Sequence, residues 1–151
     1  MSEEPPDPAH PSRVLRVSRS FAAAPARLFE AWTSPALASA WLFTSPTSEN
    51  NTTEMDVWVG GAWTVTDRRD GVDYTAVGEY LEVERPRRLV FTFGMPQFSP
   101  LSTRVVVEIA PEGDGSVLAL TQEGLPPDPG HHDAIRQGWS DMFDALDRLP
   151  G

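Results

Sequence analysis

Between Glu54 and Glu123 the chain leaves no room for a crossover helix, and that decides the architecture more than any other feature of the sequence. Six runs with strand character follow one another: Glu54–Val59, Ala62–Arg69, Val72–Glu84, Arg88–Met95, Thr103–Ala110 and Val117–Glu123. Their breaks are turn chemistry. Gly60-Gly61 and Asp70-Gly71 tolerate the positive φ angles of tight hairpins. Arg85-Pro86 and Glu112-Gly113-Asp114-Gly115 end two more runs. A parallel pair needs a connection of a dozen residues or more, so connections this short predict antiparallel neighbours and a six-strand meander.

The flanks complete the fold. Arg13–Phe21 alternates, with Leu15, Val17 and Phe21 on one side, and predicts a first strand. From Ala22 to Leu42 the period becomes helical. Pro25 suits a first helical turn, Leu28, Phe29 and Trp32 recur at helical spacing, and Ser34-Pro35 breaks the run into two short helices, the second carrying Leu37, Ala38 and Trp41. The polar stretch Thr44–Asn51 reads as a connection. After Pro126, Pro127 and Pro129, residues His131–Leu149 form an amphipathic helix with Ile135, Trp139, Met142, Phe143 and Leu146 on one face. A sheet of about seven strands with one long helix must fold around that helix to bury it. The expected fold is α+β, a curved antiparallel sheet around a long C-terminal helix, with two short helices after the first strand. Gly138 interrupts the helix at a cost of about 1 kcal/mol relative to alanine, for which close approach of a sheet backbone is the expected reason.

Residues 1–12 hold four prolines and few apolar side chains and read as a disordered tail, leaving 13–151 as a single domain. No apolar run approaches the roughly 20 residues of a membrane helix. The acidic, proline-rich start is the opposite of a signal peptide. Without secretion, Asn50-Asn51-Thr52 and Asn51-Thr52-Thr53 are polar connection rather than glycosylation sites. With no cysteine, there is neither a disulfide nor a thiolate metal site. The expected location is cytoplasmic. The net charge is −10 and all 12 cationic residues are scattered arginines, so neither nucleic acid nor an anionic membrane surface is an expected partner.

Several segments together resemble a known family. Ala24-Pro25-Ala26-Arg27-Leu28-Phe29-Glu30-Ala31-Trp32-Thr33-Ser34-Pro35 is similar to the opening signature of START-like (SRPBCC) proteins. The branch it resembles is the bacterial family similar to the C-terminal domain of the activator of heat-shock-protein-90 ATPase. Gly60-Gly61 with Trp63, Val77-Gly78-Glu79-Tyr80-Leu81, Pro86-Arg87-Arg88-Leu89-Val90-Phe91 and Gly138-Trp139 match in order and spacing, covering roughly Val14 to Leu149. The resemblance implies a helix-grip fold with a cavity between the sheet and the last helix. It implies no single activity, since relatives include lipid carriers, hormone binders, polyketide aromatase/cyclases and co-chaperone domains.

The expected ligand-binding residues follow from the predicted faces. Phe91, Phe93 and Met95 share one side of a strand, and Trp63 shares a face with Val65. Trp139, Met142 and Phe143 come from the last helix, and Trp41 and Phe43 from the second short helix and its exit. Arg104 or Glu79, if inward, would orient a polar head. The register of Asp56, Tyr74, Glu79, Arg104 and Gln122 is open at this level. An empty apolar void costs about 24 cal/mol per Å3, so a pocket of about 300 Å3 would cost about 7 kcal/mol, comparable to a domain's net stability. Any cavity is therefore expected to be small or partly polar. His131-His132-Asp133 does not converge on an ion, because helical neighbours point about 100° apart, and no other zinc spacing is present. No cofactor, metal site or catalytic residue is assigned.

Three functions compete: a non-catalytic binding module for a small hydrophobic or amphipathic ligand, a co-chaperone-like domain binding a chaperone partner in a stress response, and a polyketide cyclase-like enzyme. The sequence does not choose between monomer and homodimer.

Overall fold

The computed structural model describes residues 13–45 and 47–149. The expected tail, 1–12, lies outside the described residues. The element order is β1 (Val14–Phe21), α1 (Pro25–Thr33), α2 (Pro35–Ala38), β2 (Ser48–Met55), β3 (Ala62–Arg69), β4 (Val72–Glu84), β5 (Arg88–Gly94), β6 (Ser102–Glu112), β7 (Gly115–Glu123) and α3 (Pro129–Asp147). The seven strands form one antiparallel sheet in the order β1-β7-β6-β5-β4-β3-β2. Strands β2 to β7 pair in sequence order, as short connections require, and β1 closes onto β7.

The β3–β4 turn is the two-residue hairpin expected from Asp70-Gly71. Both residues have positive φ, 51° and 77°, which is the backbone a type I′ turn demands. Helix α1 begins with Pro25 at its first position and stops at Ser34, whose extended backbone is the conformation favoured before Pro35. Helix α3 starts two residues earlier than expected. Asp128 caps it by accepting a hydrogen bond from Gly130 N–H. His132 Nε2 lies 2.8 Å from the Pro126 carbonyl, so that ring anchors the helix start.

One strand differs from expectation. The sequence suggested Glu54–Val59, with Thr44–Asn51 as a connection. Instead β2 is the polar run Ser48–Met55, paired with Arg69–Trp63, and Trp58 and Val59 sit exposed in the β2–β3 loop. The reason is position. This strand is one of the two edges of the sheet, where Ser, Glu, Asn and Thr and a register shift at Ser48/Asn50 suit an edge that must not recruit further strands. An edge strand of this kind carries no apolar alternation to find.

The concave face of the sheet, α1, α2 and α3 share one core. From α1 come Leu28, Phe29 and Trp32, and from α3 come Trp139, Met142, Phe143 and Leu146. The convex face carries arginines and glutamates instead. Arg88 bonds Glu82 and Glu108, and Arg104 reaches Glu123 at 2.7 Å. Hydrogen bonding to Glu82 holds the Arg88 guanidinium pKa above its ordinary value.

Candidate functional site

The interior that the grip encloses is closed by aromatic rings. Trp32 and Trp41 meet edge to face with centroids 4.6 Å apart, and Trp32 also contacts Trp139 and Phe143. Trp41 is fully buried and donates Nε1–H to the Ala31 carbonyl. Trp139 donates its indole N–H to Gln122 Oε1, and Gln122 in turn donates to Thr103 Oγ1. Gln122 is thus inward and fully engaged in holding Trp139 against β7. These groups form packed core, and Trp41, Trp139 and Phe143 line neither of the two spaces described next.

What remains between sheet and helix is a small inner void and an outer cleft. The void, about 10 Å3, is bounded by Trp32, Trp63, Tyr80, Phe91 and Phe43. That volume is near the lower limit for a single water. Trp32 Nε1 is the one buried side-chain polar atom without a hydrogen-bond partner among the described residues. Burial of the Tyr80 phenol, with the charge of Asp56 adding to it, pushes its pKa far above the ordinary value.

The outer cleft, about 180 Å3, opens between β3, β4, β5 and α3. Phe43, Phe93, Met95 and Met142 give it apolar walls, and Arg69, Tyr74 and Asp141 its polar ones. Of the expected site residues, Phe43, Phe93, Met95 and Met142 meet at this cleft, while Trp63 and Phe91 face the inner void.

Arg104 is a correction. It lies on the convex face, between the inward Thr103 and Val105, where it pairs with Glu123 and Glu82. Strand alternation puts it opposite the cleft. Glu79 and Asp56 are exposed, and neither borders the cleft.

The cation that does border the cleft is Arg69, which sequence reasoning missed. Counting in twos from the inward Trp63 would have reached it through Val65 and Asp67. Asp67 is buried, at 1% exposure, and gathers three donors: Arg69 Nε at 2.5 Å, Ser48 Oγ at 2.6 Å and Asn51 Nδ2 at 3.2 Å. This fixes the guanidinium, which donates from Nη2 to the Phe43 carbonyl at 3.1 Å and lies over the Tyr74 ring.

Gly138 also borders the cleft, for a reason other than the expected one. A Cβ placed there meets nothing within 4 Å, so no sheet backbone approaches. The missing side chain leaves cleft volume open. Gly78 is the glycine that answers to close approach. A Cβ there would come within 1.8 Å of the Thr92 carbonyl oxygen and 2.3 Å of Trp63 Nε1, so the indole lies over a bare backbone and donates to that same carbonyl.

Phe43 alone borders both the void and the cleft. Its ring stacks on Trp63 at 5.2 Å and 13°, packs on Phe93 at 4.9 Å, and meets Trp139 edge-on at 5.7 Å. Its backbone has φ of 54°. For a bulky residue this left-handed conformation costs on the order of 1–3 kcal/mol and persists only where surroundings impose it. Here those are the three rings and the Arg69 hydrogen bond.

The family described as Activator of Hsp90 ATPase homolog 1-like protein matches residues 22–151. The chain belongs to this family. Among solved structures, it is similar to protein CV1439 from Chromobacterium violaceum, with 25% identity over 92% of this chain and 99% of that one and a TM-score of 0.79. Protein MLL2253 from Mesorhizobium loti is 25% identical over 90% of this chain and 95% of its own, with a TM-score of 0.73. Protein SA2116 from Staphylococcus aureus, 23% identical over 88% and 90% with a TM-score of 0.75, shows the fold alone. No curated protein matches. Among the described residues no three His, Asp, Glu or Cys side chains cluster as metal ligands, and no helix is long and apolar enough to cross a membrane.

Three larger hollows lie elsewhere on the surface. The largest, about 480 Å3 between α1 and the end of α3, is walled by Phe21 and aliphatic side chains such as Leu28, Leu37, Leu146 and Ala31, and its rim Arg27 is paired with Glu30. Volume alone favours it. The outer cleft has the aromatic floor and the fixed cation that selective recognition uses.

Proposed function

We propose that this chain is a non-catalytic binding module that takes a small hydrophobic or amphipathic ligand at the outer cleft between the sheet and α3. The observation that carries this reading is Gly138. An interior helical glycine that nothing crowds gives up helix stability of about 1 kcal/mol and returns open space at the mouth of an aromatic-walled cleft. The apolar walls supply affinity and the Arg69–Tyr74 side supplies orientation. At about 180 Å3 the cleft suits a ligand smaller than a drug-sized molecule unless the walls move. The polar groups at its edge form no nucleophile–base pair, which favours holding a ligand over transforming it.

The test is titration with a panel of aromatics, flavonoids and fatty acids, followed by tryptophan fluorescence and thermal shift, in the native chain and in Gly138→Leu. The leucine side chain projects into the cleft. The expected result is saturable binding by the native chain and a loss of at least about tenfold in the variant. Equal affinity in both chains, or silence across the panel, would sink the reading.

The second reading, a co-chaperone-like interaction domain, draws on the family and on Trp58 and Val59, exposed at 61% and 66% at the tip of the β2–β3 loop. An exposed tryptophan at a loop tip has the character of an interface anchor. Capture of a chaperone by the native chain, abolished in Trp58→Ser, would support it. Capture unchanged by that substitution would remove the loop from consideration.

A further inference from the structure

Phe43 occupies the position that a ligand ring would fill. Its phenyl group lies in a slot floored by Trp63 and Phe93, whose near-parallel rings have centroids 6.3 Å apart, with Trp139 at its edge. That arrangement is how a protein holds a planar aromatic guest, since offset stacking and edge-on contacts are the favoured geometries. The residue that fills the slot is held there by a left-handed backbone that its own side chain disfavours. It is also the residue that lines both the inner void and the outer cleft.

The polar edge of the slot has a definite preference. Arg69 uses Nε on Asp67 and Nη2 on the Phe43 carbonyl, while its Nη1 bonds no partner among the described residues. Nη1 is the donor left to meet a carboxylate oxygen at the cleft. Asp67 keeps the guanidinium in place, because its burial and its further bonds to Ser48 and Asn51 leave it little freedom to turn. Across the cleft Asp141 disfavours an anion on the α3 side, so the negative group belongs at Arg69 and the ring beneath it.

From this we infer that the site takes a single-ring aromatic carboxylate, which displaces the Phe43 ring from its slot and pairs with Arg69. The inference rests on the ligand-binding reading above and narrows it. Phe43 is then an internal surrogate for the ligand: it keeps the slot packed when the site is empty, so no large apolar void has to be maintained.

Phenylacetate, with benzyl alcohol as its uncharged counterpart, provides the probe pair. Binding is followed by calorimetry and by NMR of the full chain. The native chain is expected to bind phenylacetate and shift the ring resonances of Phe43, Trp63 and Trp139. Phe43→Ala is expected to bind phenylacetate at least about tenfold more tightly, because no side chain has to be displaced. Arg69→Gln is expected to weaken phenylacetate about tenfold or more and benzyl alcohol less than about twofold. Asp67→Asn combined with Arg69→Gln repeats that comparison without an unpaired buried carboxylate, and Phe43→Leu replaces Phe43→Ala if the alanine variant does not fold. Binding by the Phe43 variants but not by the native chain overturns the inference, because a ring-sized hole made by truncation holds an aromatic by itself. Equal loss of both probes on changing Arg69 overturns it as well. If phenylacetate fails while other panel ligands still respond to Gly138→Leu, the slot assignment falls and the cleft stands. If nothing binds, both fall.

Discussion

Two glycines that look alike in sequence should respond to alanine with opposite signs. Gly138 is in the interior of α3, and a Cβ there meets no atom within 4 Å. Gly138→Ala therefore gains helix propensity of about 0.8–1.0 kcal/mol with nothing to clash against. For a domain of this size, about 1 kcal/mol corresponds to a rise in Tm of roughly 2–4 °C. Gly78 is in β4, and its added Cβ would overlap the Thr92 carbonyl oxygen at 1.8 Å and Trp63 Nε1 at 2.3 Å. The backbone oxygen belongs to the paired strand β5 and cannot swing away. The indole must move, and its hydrogen bond to Thr92 goes with it. Overpacking typically costs about 1–3 kcal/mol and the lost bond about 1 kcal/mol, so Gly78→Ala should lose about 2–4 kcal/mol. Urea titration followed by circular dichroism measures both. The indole displacement should also change tryptophan emission in Gly78→Ala and leave it unchanged in Gly138→Ala. Destabilisation by Gly138→Ala would refute the reasoning, because it would mean that a neighbour crowds the position and that the glycine exists for packing rather than for the cleft.

Further expectations concern charge and burial. The Tyr80 phenol has its pKa raised in the folded chain, so the native state keeps a proton that the unfolded state releases above pH about 10. Tyr80 should leave stability unaffected below that pH and lower it as pH rises further, by up to about 1.4 kcal/mol per pH unit. Urea midpoints from pH 8 to 11 should show this decline, and Tyr80→Phe should flatten it. Asp67→Ala should cost about 1–3 kcal/mol, because Ser48 and Asn51 lose their acceptor and Arg69 its anchor; chemical denaturation checks it. Arg104→Ala should change stability by no more than about 1 kcal/mol, since its ion pairs are exposed, and should leave ligand affinity unchanged, since it lies on the convex face.

How far the site was legible depended on how local its signals are. Trp63, Phe91, Phe93 and Met95 declared their shared side by alternation, and Met142 by helical period. Each needs only its own element. Arg104 was misplaced because alternation gives two faces but not which of them is inward, and a cation beside Val105 reads equally well either way. Arg69 was overlooked because it sits at a turn, where polar residues are ordinary. Its meaning comes from Asp67 beneath it and from the Phe43 carbonyl, 26 residues away in sequence. The edge strand β2 carried no apolar signal, since an edge is protected by polar side chains.

By itself the sequence determined the antiparallel meander, the breaks at Ser34-Pro35 and Asp70-Gly71, and the buried face of α3. These depend on short-range backbone preference and on periodicity within single elements. The tertiary structure alone decided whether the grip encloses a pocket. That outcome is a small difference between the volume enclosed by a curved sheet and three helices and the volume of the rings packed into it. The Phe43 ring packs against Trp63, Phe93 and Trp139 from a left-handed backbone, and no residue pattern within one element encodes that.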